Sequence, residues 1–107
     1  MCGVVGITDF QNASQQVFLG LHSLQHRGQE AAGIAVSHNN KLLGHAGLGL
    51  AAEIFSEQKL KLLEGLSAIG HVRYSTAGGS LERNAQPLMV FNTPLGELAI
   101  AHNRSIP

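Results

Sequence analysis

Apolar and polar positions along the chain alternate in short blocks, each of which reads as one element. Residues 2–8, with Val4, Val5 and Ile7 among glycines, predict a short buried strand. Asn12 or Ser14 can cap a helix, and Val17, Leu21 and Leu24, spaced by four and three, carry it to about His26, where Gly28 is placed to stop it. Apolar-rich stretches at 32–37 and 41–46 flank Asn39-Asn40 and predict a β-hairpin. A second helix is predicted over 52–63 with Gly65 as its C-cap, followed by a strand over 67–74. Residues 75–87 have little apolar content and contain Gly78, Gly79 and Ser80, the pattern of an ordered or gating loop. Residues 88–91 and 97–102 predict a last strand pair. Two helices among about six strands, several of them in hairpins, describe an α+β fragment with mostly antiparallel pairing.

Composition narrows the class. A chain of 107 residues is at most one small domain, and 44% hydrophobic with 13% charged residues is an ordinary globular balance. Seven basic and seven acidic residues cancel, so no net field recruits nucleic acid or an anionic membrane. No apolar run approaches the roughly 20 residues of a membrane span, and the start lacks the pattern of a signal peptide. One cysteine excludes an internal disulfide and predicts a reducing, cytoplasmic setting. The strand-like run to His102 with only five residues after it predicts a chain cut at its C-terminus.

That cysteine, Cys2, is the first candidate for chemistry. If Met1 is removed, Cys2 carries both a thiol and a free α-amine. An α-amine of pKa about 7.7–8.0 can act as general base for a thiol on the same residue. Taken alone, a lone cysteine is more often an inert small hydrophobe. Gly47-Leu48-Gly49-Leu50-Ala51-Ala52 matches a dinucleotide-binding fingerprint, but its strand closes a hairpin instead of opening a βαβ unit, and a turn with a helix start is the better reading. His22 and His26, four apart on a helix, lack the further ligands of a metal site, so no metal is expected. Arg73 ends a predicted strand at the start of the glycine-rich loop, where it can clamp a carboxylate or serve as an ordinary surface cation. Asn103 can donate to a developing oxyanion or simply hold a turn.

Taken together, several segments resemble the glutaminase domain of the class II, N-terminal-nucleophile glutamine amidotransferases. They are Met1-Cys2-Gly3-Val4-Val5-Gly6-Ile7, residues 24–34, residues 47–50, Gly70-His71-Val72-Arg73-Tyr74-Ser75-Thr76-Ala77-Gly78, Asn84-Ala85-Gln86-Pro87 and residues 98–103, in the family's order and over nearly the whole chain. Residues 74–78 are closer to the phosphoribosyl branch than to the sugar-phosphate branch.

The resemblance implies an αββα sandwich of which residues 1–107 are the N-terminal part, a partial glutaminase domain truncated at its C-terminus. It implies that Cys2 attacks the carboxamide of glutamine while its α-amine relays the proton to leaving ammonia. Arg73 would bind the α-carboxylate of glutamine, with Gly28 and Thr76 also at the substrate, residues 74–80 closing over it, and Asn103 donating to the oxyanion. Ammonia would pass to phosphoribosyl pyrophosphate in a phosphoribosyltransferase domain of the parent chain, giving phosphoribosylamine at the first committed step of purine synthesis. The resemblance places magnesium only in that domain, with no cofactor in this segment, and expects a homo-oligomeric parent. The chain departs from the family at Arg104, which stands where the family has a glycine that offers a second oxyanion N–H. The alternatives are a truncated or degenerate non-catalytic fragment, or, sharing the same nucleophile, the glutaminase part of a sugar-phosphate aminotransferase.

Overall fold

The computed structural model describes residues 2–24, 29–74, 85–94 and 96–102. Among these residues, six strands and three short helices follow one another as β1 (Cys2–Ile7), α1 (Ala13–Ser23), β2 (Gln29–His38), β3 (Lys41–Leu48), α2 (Ala51–Ile54), α3 (Glu57–Leu62), β4 (Ser67–Tyr74), β5 (Leu88–Thr93) and β6 (Gly96–Ile100). The first four strands form one antiparallel sheet in the order β1-β4-β2-β3, and β5 and β6 form a separate antiparallel pair. The α+β expectation is correct, and all six strands lie where the sequence places them.

Two-residue side-chain alternation divides the four-stranded sheet into two faces. One face presents Val5, Ala32, Ile34, Val36, Ala68 and Val72 to the Val17 and Leu21 side of α1, and this is the main core. The β5–β6 hairpin packs on the other face, where the Leu42 N–H donates to the Glu97 carboxylate at 3.1 Å. A Cβ built at Gly44 would sit 2.7 Å from the Met89 sulfur, so the two layers are in direct contact there. Helix, sheet, sheet is thus the layer order. The outer surface of the hairpin presents the cross-strand pairs Leu88–Ile100 and Val90–Leu98, all four side chains exposed.

Local chemistry explains most boundaries. Asn39 and Asn40 both adopt positive φ (49° and 65°) between paired His38 and Lys41, the two-residue turn whose twist matches a hairpin. Gly49, at φ 123°, turns the chain from β3 into α2, as the turn reading of the glycine pair expects. Asn12 occupies the N-cap position of α1 in a left-handed conformation but makes no side-chain capping bond. Ser14 does not cap the helix: it is buried, and its hydroxyl donates to the Leu60 carbonyl at 3.1 Å, tying α1 to α3. Helix α1 ends at Ser23 with Leu24 as C-cap, and His26 and Gly28 lie outside the described residues.

The single helix expected over 52–63 is two helices. Phe55 leaves helical geometry (φ −110°, ψ 97°) and is buried with its ring 6.4 Å from Phe18 and 5.6 Å from His45, both edge-on. Ser56 then caps α3 by accepting from the Lys59 N–H at 3.1 Å. Aromatic burial outweighs one continuous helix, whose exposed hydrogen bonds contribute little. Gly65 is not the helix C-cap, which is Leu63. Its missing side chain instead lets the backbone pass against the Ser37 carbonyl, which a Cβ would overlap. No described helix is long and apolar enough to cross a membrane.

Candidate active site

The site is built at one end of the four-stranded sheet, on the face opposite α1. Cys2 begins β1 and is Cα partner to Arg73 near the end of β4; Arg73 is in turn partner to Ala31 on β2. Directly opposed residues of an antiparallel pair project from the same face with Cβ atoms about 4.5–5.5 Å apart. Pairing thus brings the thiol and guanidinium stems together from distant parts of the chain. Both residues are buried, at 7% and 8% exposure. The β2–β4 ladder slips between Gln29 and Ala31, a bulge lying directly beside Arg73. Such bulges bend a strand and re-aim the side chains next to them.

Two residues along, Val4, His71 and Gly33 form the next row across the same three strands. His71 is fully buried, and its Nε2 lies 2.9 Å from the His102 carbonyl oxygen. A carbonyl only accepts, so the imidazole carries a proton on Nε2 and donates it to that oxygen. Its Nδ1 is buried and has no hydrogen-bond partner among the described residues. Burial pushes the His71 pKa below its usual 6.5; the bond to His102 opposes this, and the positive charge of Arg73 adds to it. At and above the ordinary imidazole range, His71 is thus a neutral imidazole with its proton on Nε2, beside the Arg73 cation.

Gln86 completes this row. Its side-chain oxygen accepts from the His102 N–H at 2.6 Å, and the residue is 3% exposed. Gln86 can lie on the sheet because Gly33 has no side chain; a Cβ there would overlap the Gln86 carbonyl. The end of the stretch read as a loop, residues 85–87, is therefore buried against the sheet.

Of the sequence-chosen residues, Cys2 and Arg73 are thus brought together. Gly28, Thr76 and Asn103, with Arg104, lie outside the described residues, although His102, the neighbour of Asn103, is held two residues along from the Cys2–Arg73 row. Neither His71 nor Gln86 is among the residues the sequence nominates for the site. Two-residue spacing from Arg73 puts His71 on the same strand face, which is a readable signal; Gln86 lies outside any periodic pattern. Of the His22–His26 pair, His26 lies outside the described residues and His22 stacks on Phe18 at 6.2 Å. Among the described residues no three His, Cys, Asp or Glu side chains are grouped to hold a metal.

The similarity to known proteins is extensive. The amidophosphoribosyltransferase of Bacillus subtilis is 50% identical over 105 residues, covering 98% of this chain and 22% of that protein. The chloroplastic amidophosphoribosyltransferase 3 of Arabidopsis thaliana is 52% identical over 95% of the chain, which spans 19% of it. Over nearly its whole length the chain is homologous to amidophosphoribosyltransferases. It spans about a fifth of the length of the family members it matches. A solved structure of the allosteric regulatory enzyme of purine biosynthesis superposes with a TM-score of 0.83 at 47% identity, covering 92% of this chain and 21% of that one. Glutamine phosphoribosylpyrophosphate amidotransferase from B. subtilis, complexed with ADP and GMP, gives 0.81 at 46% identity over 94% of this chain and 21% of its own. The fold is that of the N-terminal part of the amidophosphoribosyltransferases. No protein-family model matches the chain.

Proposed function

We propose that residues 1–107 are the nucleophile-bearing part of a glutaminase domain in an amidophosphoribosyltransferase, and that Cys2 is its nucleophile. The observation that carries this reading is the Cys2–Arg73 cross-strand pair. It sets an anchor for a carboxylate beside a thiol, as a substrate with a carboxylate at one end and a carboxamide at the other requires.

With Met1 removed, the α-amine of Cys2 takes the thiol proton as sulfur attacks the carboxamide carbon of glutamine. The amine then delivers that proton to the departing nitrogen, the C–N bond breaks, and ammonia leaves behind a γ-glutamyl thioester. Water hydrolyses the thioester, releasing glutamate and restoring the thiol. Arg73 holds the α-carboxylate through a charge-assisted, two-pronged pair. Asn103 donates to the oxyanion, while Gly28 and Thr76 contact the substrate and residues 74–80 close over it. The ammonia passes to phosphoribosyl pyrophosphate on a phosphoribosyltransferase domain, giving phosphoribosylamine. Magnesium belongs with that second substrate, whose phosphates it binds together with one or two carboxylates. The parent is read as a homo-oligomer, and the lone thiol supports a reducing, cytoplasmic setting.

Arg104 favours a second reading, a segment that keeps the fold but has lost catalysis. Arginine retains a backbone N–H, yet a left-handed conformation there would cost about 1 kcal/mol or more relative to glycine. Intact mass after exposure to an electrophilic glutamine analogue separates the two. Loss of Met1 with one adduct on Cys2, suppressed by excess glutamine, is expected for the enzyme. Retained Met1, or an adduct indifferent to glutamine, overturns it.

A further inference from the structure

The backbone of His102 is held from both sides by side chains of two different segments. Its N–H donates to Gln86 Oε1 at 2.6 Å, and its carbonyl accepts from His71 Nε2 at 2.9 Å. The β5–β6 ladder ends at the Leu88–Ile100 pair, so these two bonds take over where strand pairing stops. Both side chains are nearly or fully buried. Burying such groups is costly unless they are bonded, and apolar side chains would fill the same space without that demand. What the polar pair adds over apolar filling is direction.

We propose that His71 and Gln86 are positioning residues for amide transfer, fixing the peptide from which Asn103 departs relative to Cys2 and Arg73. The inference rests on the proposed glutaminase function, in which Asn103 is an oxyanion donor. The carbonyl of His102 and the nitrogen of Asn103 share one planar peptide unit, so a bond to that oxygen sets the plane from which the next residue leaves. His71 lies in the row next to Cys2–Arg73, about 7 Å along the strand. Gly33 completes the arrangement by letting the Gln86 carbonyl settle on this row. The neutral state of His71 suits the role, since a second positive charge beside Arg73 would repel it. An oxyanion donor acts on the transition state, so loosening its support lowers kcat and leaves the binding of glutamine through Arg73 in place.

The test uses steady-state glutamine hydrolysis by the natural full-length protein. His71→Leu removes the donor and Gln86→Met the acceptor. Each is expected to lower kcat about 10- to 100-fold, less than the roughly 100- to 1,000-fold cost of losing an oxyanion donor outright, with the glutamine KM nearly unchanged. His71→Gln keeps an amide N–H at similar reach and should recover most of the loss. The double variant should fall well short of the product of the two losses, because both act on one peptide. Unchanged kcat in the single variants, or a rise in KM alone, overturns the inference while Cys2-dependent hydrolysis by the unaltered protein still upholds the function. Absence of Cys2-dependent hydrolysis in the unaltered protein overturns both. If the leucine variant does not fold, imidazole nitrogen NMR of the unaltered protein decides: a fixed Nε2–H tautomer is expected, and an Nδ1–H or freely exchanging one overturns the inference.

Discussion

Cys2 and Arg73 are Cα partners across the β1–β4 ladder, and the same row continues to Ala31 on β2. Their placement is therefore a property of strand register. A slip of one residue would turn either side chain to the α1 face and separate the pair. The register is held by the core beneath it, where Val5, Val72 and Ala32 meet α1. Apolar packing on one face thus positions polar chemistry on the other.

Arg73→Lys should raise the glutamine KM at least about 10-fold, since a single ammonium cannot reproduce the two-pronged pair with a carboxylate. Arg73→Ala should raise it further. Steady-state kinetics against glutamine reads this directly, and a KM equal to that of the unaltered protein would remove Arg73 from the site.

Gly33→Ala should destabilise the fold by about 1–3 kcal/mol, because its Cβ would overlap the Gln86 carbonyl and displace residues 85–87. Gly6→Ala is the control: the nearest atom to its Cβ is 3.7 Å away, an ordinary contact. Urea unfolding should separate the two variants clearly. Equal midpoints would show that the segment at Gln86 yields without cost.

Ser56→Ala should cost about 1 kcal/mol by removing the acceptor for the Lys59 N–H at the start of α3. Ser56→Asp should hold stability near the original value, as aspartate caps equally well. Thermal unfolding of the three proteins checks the order.

Stability should fall on acidification below about pH 6.5. His71 titrates lower in the folded chain because of burial, and His45 does so through burial and the charge of Lys59. In that range the unfolded chain binds more protons than the folded one, so stability is full above the ordinary imidazole pKa and declines as pH drops towards the folded values. Each group contributes a slope of at most about 1.4 kcal/mol per pH unit. Unfolding midpoints at pH 7.5 and 5.5 measure the decline, which should be smaller in His71→Gln. An unchanged difference in that variant would show that His71 does not contribute.

Local pattern alone determined a good deal. The β2–β3 turn follows from Asn39-Asn40, two residues that tolerate positive φ, and α1 from apolar positions that recur at helical spacing. The motif around Arg73 and the position of Cys2 were enough to nominate both. Other features depended on contacts between distant segments. Phe55 breaks the expected helix because its ring is buried against Phe18 and His45, which approach it from α1 and β3. Ser14 reads as a cap and becomes a buried link to Leu60, because α3 packs against the start of α1. His71 and Gln86 gain their meaning only from His102, which reaches them across a separate sheet. Backbone preferences within a few residues are written locally, so turns and helices can be read from the sequence. Register and burial are set by whichever distant surfaces meet, so the pairing of Cys2 with Arg73 and the hold on His102 were decided only by the tertiary structure.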